Sequence, residues 1–124
     1  MEKELRIMEA YAKDIRKTVV EMLTKAKSSH IGGAFSSADI LTALYFKIMS
    51  VDSNHPLSPD RDRFILSKGH CSCVLYAVLA KKGFFPRNKL NEYYANGGCL
   101  WGHPSLNSAS GIDATTGSLG HGLS

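Results

Sequence analysis

No apolar run in this 124-residue chain approaches the roughly 20 residues that cross a bilayer, and the opening Met1-Glu2-Lys3-Glu4 lacks the apolar core of a secretory signal. A soluble, cytoplasmic protein with no membrane partner is expected. Cysteine is scarce and odd in number, with Cys71, Cys73 and Cys99 alone, so free thiols are expected rather than a disulfide framework. Charge of one sign hardly dominates: 15 Lys plus Arg against 11 Asp plus Glu give +4, interleaved as in Asp60-Arg61-Asp62-Arg63. Such a balance suits phosphorylated metabolites and does not favour a nucleic-acid partner. The Gly-x-Gly-x-x-Gly fingerprint, a Walker-type Gly-Lys-Ser/Thr, an internal repeat and a low-complexity tail are all missing. With 44% apolar residues the chain has material for one modest domain at most.

What is present begins with a helical period. Met8, Ala12, Ile15, Val19, Met22 and Ala26 recur at steps of three and four, which predicts an amphipathic helix from Leu5 to Lys27. Ser28-Ser29-His30-Ile31-Gly32-Gly33 reads as the loop that ends it. Ser36 or Ser37 is the expected N-cap of a second helix whose apolar residues are Ile40, Leu41, Leu44, Tyr45 and Ile48. Val51 to Asp62, with two prolines, reads as an irregular surface connection. The run Arg63-Phe64-Ile65-Leu66-Ser67 reads as a buried strand, Gly69-His70 as the turn at its end, and Cys71 to Lys82 as a helix stopped by Gly83. A further short helix is expected from Asn88 to Ala95. Residues 97–118, rich in Gly, Ser, Thr and Asn, form a stretch too long to be an idle loop.

Histidine and glycine recur together in Ser29-His30-Ile31-Gly32-Gly33, Ser67-Lys68-Gly69-His70 and Gly102-His103-Pro104. Each pairing places a side chain that titrates near neutral pH beside a residue with no side chain, so a ligand can approach the backbone while imidazole exchanges protons with it. One polar, anion-tolerant site is implied. His70 stands where strand becomes helix, and the unpaired amides of a helix start attract phosphate oxygens; capping or packing in the turn is its other reading. Gly117-Ser118-Leu119-Gly120-His121-Gly122 leaves backbone free to contact a flat heteroaromatic ring, or is an ordinary loop feeding a helix capped by Thr115 or Thr116.

In order, Ser28 to Gly33, Asp60 to His70, Gly102-His103-Pro104 and Thr116-Gly117-Ser118-Leu119-Gly120-His121-Gly122 resemble the start of transketolase across nearly the entire chain. The likeness is greatest to the amino-terminal subunit of the two-gene transketolases. It implies an α/β fold: residues 1–124 as the N-terminal portion of a thiamine diphosphate-binding domain, helix-rich, with the beginning of a parallel sheet. It implies a transferase of the pentose phosphate pathway, moving a two-carbon ketol unit from a ketose phosphate to an aldose phosphate with thiamine diphosphate as cofactor. His30 and His103 would contact the sugar and move protons, and His70 would contact the cofactor diphosphate. The backbone of Gly117, Ser118 and Leu119 would lie against the aminopyrimidine. The implied partners are sugar phosphates, further copies in a homo-oligomer, and a C-terminal transketolase subunit.

The sequence departs from that pattern in places. Ile31 and Ser118 stand where many single-chain transketolases have proline, Lys68 where Asn is frequent and His121 where Gln is frequent. The ligands for Mg²⁺ or Ca²⁺ in the family, a Gly-Asp-Gly and a later Asn, are expected beyond Ser124; a helix start worth about 1 kcal/mol replaces such a cation poorly. The isolated chain is therefore expected to be inactive, as a truncated piece of the domain. Two rival readings are a zinc module built on Cys71, Cys73, Cys99 and His103, and a non-catalytic fragment that pairs with a partner subunit. Cys-x-Cys within a helix is poor spacing for the zinc module.

Overall fold

The computed structural model describes residues 1–122. Three helices dominate: α1 (Glu2–Ala26), α2 (Ile31–Ala43) and α3 (Ser72–Lys82). A π-helical turn, Leu44–Ile48, closes α2, a 3₁₀ turn, Gly69–Cys71, leads into α3, and a second 3₁₀ segment covers Arg87–Glu92. Each of the three helices packs against the other two.

The period read from the sequence puts Ala12, Ile15, Val19 and Met22 on the buried face of α1. Its end is a left-handed Lys27 with the Ser28 amide donating to Leu23 O at 3.1 Å, a closure that satisfies carbonyls of the last turn. Helix α3 lies at the centre, and every residue from Ser72 to Leu79 is buried, as befits a helix apolar all round. Each fully buried Val or Leu there contributes about 1.5–3 kcal/mol. Gly83, at φ 97°, stops it as expected, with the Phe84 amide donating to Leu79 O.

Several expectations need correction. Helix α2 starts at Ile31 rather than after Ser36, because left-handed His30 supplies the N-terminal turn and the hydroxyls of Ser36 and Ser37 donate back to Gly33 O inside the helix. Ile40 and Ile48, named among the apolar residues of this second helix, are exposed; α2 buries its small residues Ala34, Ser37 and Ala38 with Leu41, which lets it lie close to its neighbours. The segment expected from Asn88 to Ala95 is the 3₁₀ turn Arg87–Glu92, ended by extended Tyr93. Arg63–Ser67 pairs with no strand among the described residues. A ladder needs a neighbouring strand, and here the Phe64 amide donates instead to the Asp113 carboxylate at 2.9 Å. No helix capped by Thr115 or Thr116 begins among the described residues: Leu119–Gly120 is a turn closed by the His121 amide on Ser118 O, and Leu123 and Ser124 lie outside the described residues.

Candidate functional site

The site is assembled at the amino end of α3. His30, at φ 72°, adopts a conformation costly for a residue with a Cβ, and such strain persists only where its surroundings enforce it. It brings the His30 ring edge-on to His70, with centroids 5.0 Å apart and planes at 76°. Two contacts hold the loops together. Gly33 lies so close to Cys71 that any Cβ would run into the Cys71 sulfur, and Cys71 is itself fully buried. Lys68 Nζ donates to Gly33 O at 2.8 Å and to Ser36 Oγ at 3.1 Å, bridging the turn before His70 to the first turns of α2.

The later segments reach the same place. A Cβ on Gly69 would lie 2.7 Å from Thr116 Oγ1 and 3.3 Å from the Gly117 amide nitrogen, so only glycine lets these two stretches touch. Thr116 Oγ1 is buried with no hydrogen-bond partner. The Thr116 amide donates to Pro104 O at 3.1 Å, and the Leu106 amide donates to Thr115 Oγ1 at 2.8 Å. From α3, the Ser72 hydroxyl is shared between Gly102 O at 2.8 Å and Trp101 O at 3.2 Å, and the Tyr76 hydroxyl donates to Trp101 O at 2.7 Å.

Of the residues singled out by sequence, His30 and His70 therefore touch, and Gly117 lies against Gly69. His103 comes to the same helix start through its backbone, its ring exposed. Ser118 and Leu119 are also exposed, and no neighbour crowds a Cβ built on Gly117. Cavities of about 330 and 300 Å³ lie elsewhere, one between α1 and the Arg87–Glu92 turn, the other between Arg61 and the 106–113 loop.

Sequence reading gave no role to several residues that build this arrangement. Asp113 accepts hydrogen bonds from Arg61 Nε at 3.3 Å, Arg61 Nη2 at 3.1 Å and the Phe64 amide at 2.9 Å. The pair is nearly enclosed, its side chains 17% and 10% exposed, and it ties the stretch entering Ser67–His70 to the stretch entering Thr116–Gly117. Burial, and then the Asp113 charge, push the Tyr45 hydroxyl well above its ordinary range. Ser72 and Tyr76 were likewise without a role, Lys68 was noted only as a member of its motif, and Thr116 only as a candidate helix cap. Ser72 and Tyr76 lie on one face of α3 four residues apart, a spacing visible in the sequence, but their carbonyl partners 25 to 30 residues onward are not.

Among the described residues no group of three or more His, Cys, Asp or Glu side chains is placed to hold a metal ion, so Cys71, Cys73, Cys99 and His103 do not form the zinc set. Burial pushes the Cys73 thiol up to about 12, with the Cys71 charge adding to it, while desolvation raises Cys71 against the opposing field of Lys68. Cys99 is exposed. Because the thiolate is the reactive form, a thiol-titrating disulfide at pH 8 should modify Cys99 in the fast phase and the other two only on unfolding. Rapid reaction of two or more thiols in the folded chain would contradict this burial.

The transketolase thiamine diphosphate-binding domain model matches residues 7–124. An apulose-4-phosphate transketolase subunit from Phocaeicola vulgatus is 45% identical over 121 residues, 98% of this chain and 43% of that protein. A 6-deoxy-6-sulfo-D-fructose transketolase subunit from a Clostridium species is 46% identical over 110 residues, 89% of this chain and 40% of the relative. The transketolase from Leishmania mexicana superposes with a TM-score of 0.84 at 32% identity, covering 93% of this chain and 17% of that one. The chain thus spans about two fifths of the length of the split relatives it matches. No helix among the described residues is long and apolar enough to cross a membrane.

Proposed function

The chain belongs to the transketolase thiamine diphosphate-binding domain family, and from that premise we propose that it is the amino-terminal part of a transketolase that moves a two-carbon ketol unit from a ketose phosphate to an aldose phosphate. The observation that carries this reading is the contact of His30 with His70 at the start of α3, with Thr116 and Gly117 laid against Gly69.

Thiamine diphosphate fits the groups present. The buried Thr116 hydroxyl lacks a protein partner, Gly117 has open space above it, and the Gly69–His70 turn opens a helix whose first amides favour anionic oxygens. When bound, the cofactor supplies the nucleophilic carbon and the electron sink for the transfer. His70 then donates to the diphosphate, and the backbone of Gly117, Ser118 and Leu119 lies along the aminopyrimidine. His30 and His103 hold the sugar hydroxyls and carbonyl and pass a proton, each able to donate at one ring nitrogen and accept at the other. Mg²⁺ or Ca²⁺ is bound by residues outside this sequence. In the same reading the Arg63–Ser67 segment becomes the first strand of a parallel sheet completed by the remainder of the domain.

Self-association and pairing with a partner subunit complete the assembly, which acts in cytoplasmic pentose phosphate metabolism. Ile65 and Leu119, 41% and 69% exposed, support the cover of this edge by another part of the enzyme. The test is ketol transfer by the complete enzyme, supplied with thiamine diphosphate, Mg²⁺, a ketose phosphate and an aldose phosphate. Transfer of two carbons is expected; no turnover on any such donor and acceptor would overturn the proposal.

A further inference from the structure

No side chain aims the ring of His103. The imidazole is exposed and no hydrogen bond to it is found among the described residues; only the carbonyl is engaged, by the Tyr76 hydroxyl at 3.4 Å. A histidine that moves a proton is ordinarily oriented by a third group on its second nitrogen, so here the aim has to come through the backbone. The residue before it is Gly102, which by itself could swing over a wide range of φ and ψ.

Tyr94 closes off that freedom. A Cβ on Gly102 would lie 2.6 Å from Cζ and 2.8 Å from Cε2 of Tyr94, so the tyrosine ring fills the place of the missing side chain. The Ser72 hydroxyl meanwhile donates to Gly102 O at 2.8 Å, which leaves Gly102 held by α3 at its carbonyl and by the ring at its Cα. Tyr94 pays for this in its own backbone: its φ of 56° is an outlier for a bulky residue, and at 54% exposure burial does not keep it there.

A closed loop keeps it there instead. The Tyr94 amide donates to Leu100 O at 3.1 Å, the Cys99 amide to the Glu92 carboxylate at 3.1 Å and the Trp101 indole to Gly98 O at 2.9 Å, while Gly98 lies so close to Glu92 O that no Cβ would fit. Edge-on contacts of Tyr94 with Tyr93 and of Tyr93 with Tyr76, at 5.0 and 5.9 Å between centroids, tie the ring back to α3. Strain of this kind persists only where the surroundings over-determine it, and it gathers where a fixed geometry is used.

We propose that Tyr94 is a positioning residue for His103, its ring fixing Gly102 and through it the direction of the imidazole. This rests on the sugar-contacting, proton-moving role given to His103 above and extends it to a residue outside the histidine and glycine motifs. The Glu92–Trp101 loop is then a brace for the active imidazole.

The test is made in the complete enzyme. Tyr94→Asn removes the ring and keeps a residue that tolerates left-handed backbone; Tyr94→Gly replaces it if that variant fails to melt cooperatively. The kcat should fall about tenfold or more, since a misplacement near 1 Å can cost a hundredfold, while KM and thiamine diphosphate affinity stay within about threefold. Tyr94→Phe keeps the ring carbons on Gly102 and should restore kcat to within about threefold. Added to His103→Ala, Tyr94→Asn should cost less than about twofold more, because nothing is left to position. In a crystal structure of Tyr94→Asn the imidazole should be displaced by about 1 Å or spread over several rotamers. An unchanged kcat in Tyr94→Asn, an unmoved imidazole, or full multiplication of the two losses in the double variant overturns the positioning role and leaves the reading of His103 intact. A loss under about twofold in His103→Ala alone overturns that reading, and the proposal with it.

Discussion

Asp113→Ala should lower the unfolding free energy by about 3 kcal/mol or more, the cost of leaving one member of an enclosed ion pair alone. Arg61 would keep its charge in a setting that exposes only 17% of its side chain, and the Phe64 amide would lose its acceptor as well. Against a typical total stability of about 5–15 kcal/mol, that loss is large. Asp113→Asn separates the two effects, since an amide oxygen can still accept from Phe64 while the charge is gone. Urea unfolding of the three proteins measures both. A change under about 1 kcal/mol for the Ala variant would put the pair with ordinary surface ion pairs and remove it as the clamp between the two halves of the site.

His103→Ala, in the complete enzyme, should depress turnover by about a hundredfold or more while cofactor affinity moves within about threefold. The asymmetry follows from how the residue is held. The segment is fixed by carbonyls of Trp101, Gly102 and His103 accepting from Ser72 and Tyr76, none of which involves the imidazole, so the substitution leaves the loop anchored and removes only the ring. Activity within about twofold of the unsubstituted enzyme would exclude a proton-transferring role for His103. A parallel fall in cofactor affinity would instead assign the ring to the cofactor.

Patterns local in sequence were legible. The three-and-four spacing of Ala12, Ile15, Val19 and Met22 located α1, and Gly83 marked the end of α3, because both depend on residues within a turn or two of one another. The start of α2 was not, since Gly32-Gly33 reads as a loop unless one knows that Cys71 packs where the Gly33 side chain would be. Strand pairing for Arg63–Ser67 depends on a neighbour that local pattern cannot supply. The histidine motifs were visible as an ordered set, and the fold brings the rings of two of them, His30 and His70, together. Their supports were hidden for one reason: Lys68 to Gly33, Gly69 to Thr116 and Arg61 to Asp113 join residues 35 to 52 positions apart. Arg61 read as one of several interleaved charges; only the fold shows that it is enclosed.

The central claim is that distant loops share one cofactor, and the most direct measurement is a thiamine diphosphate titration, with Mg²⁺, of the protein labelled in its histidine rings and backbone amides. The rings of His30, His70 and His103 and the amides of Gly117 to Leu119 should shift along one saturation curve, while His55, paired with Asp52 on the remote Val51–Asp62 connection, stays unchanged. Separate midpoints for these groups, or shifts confined to one loop, would contradict it.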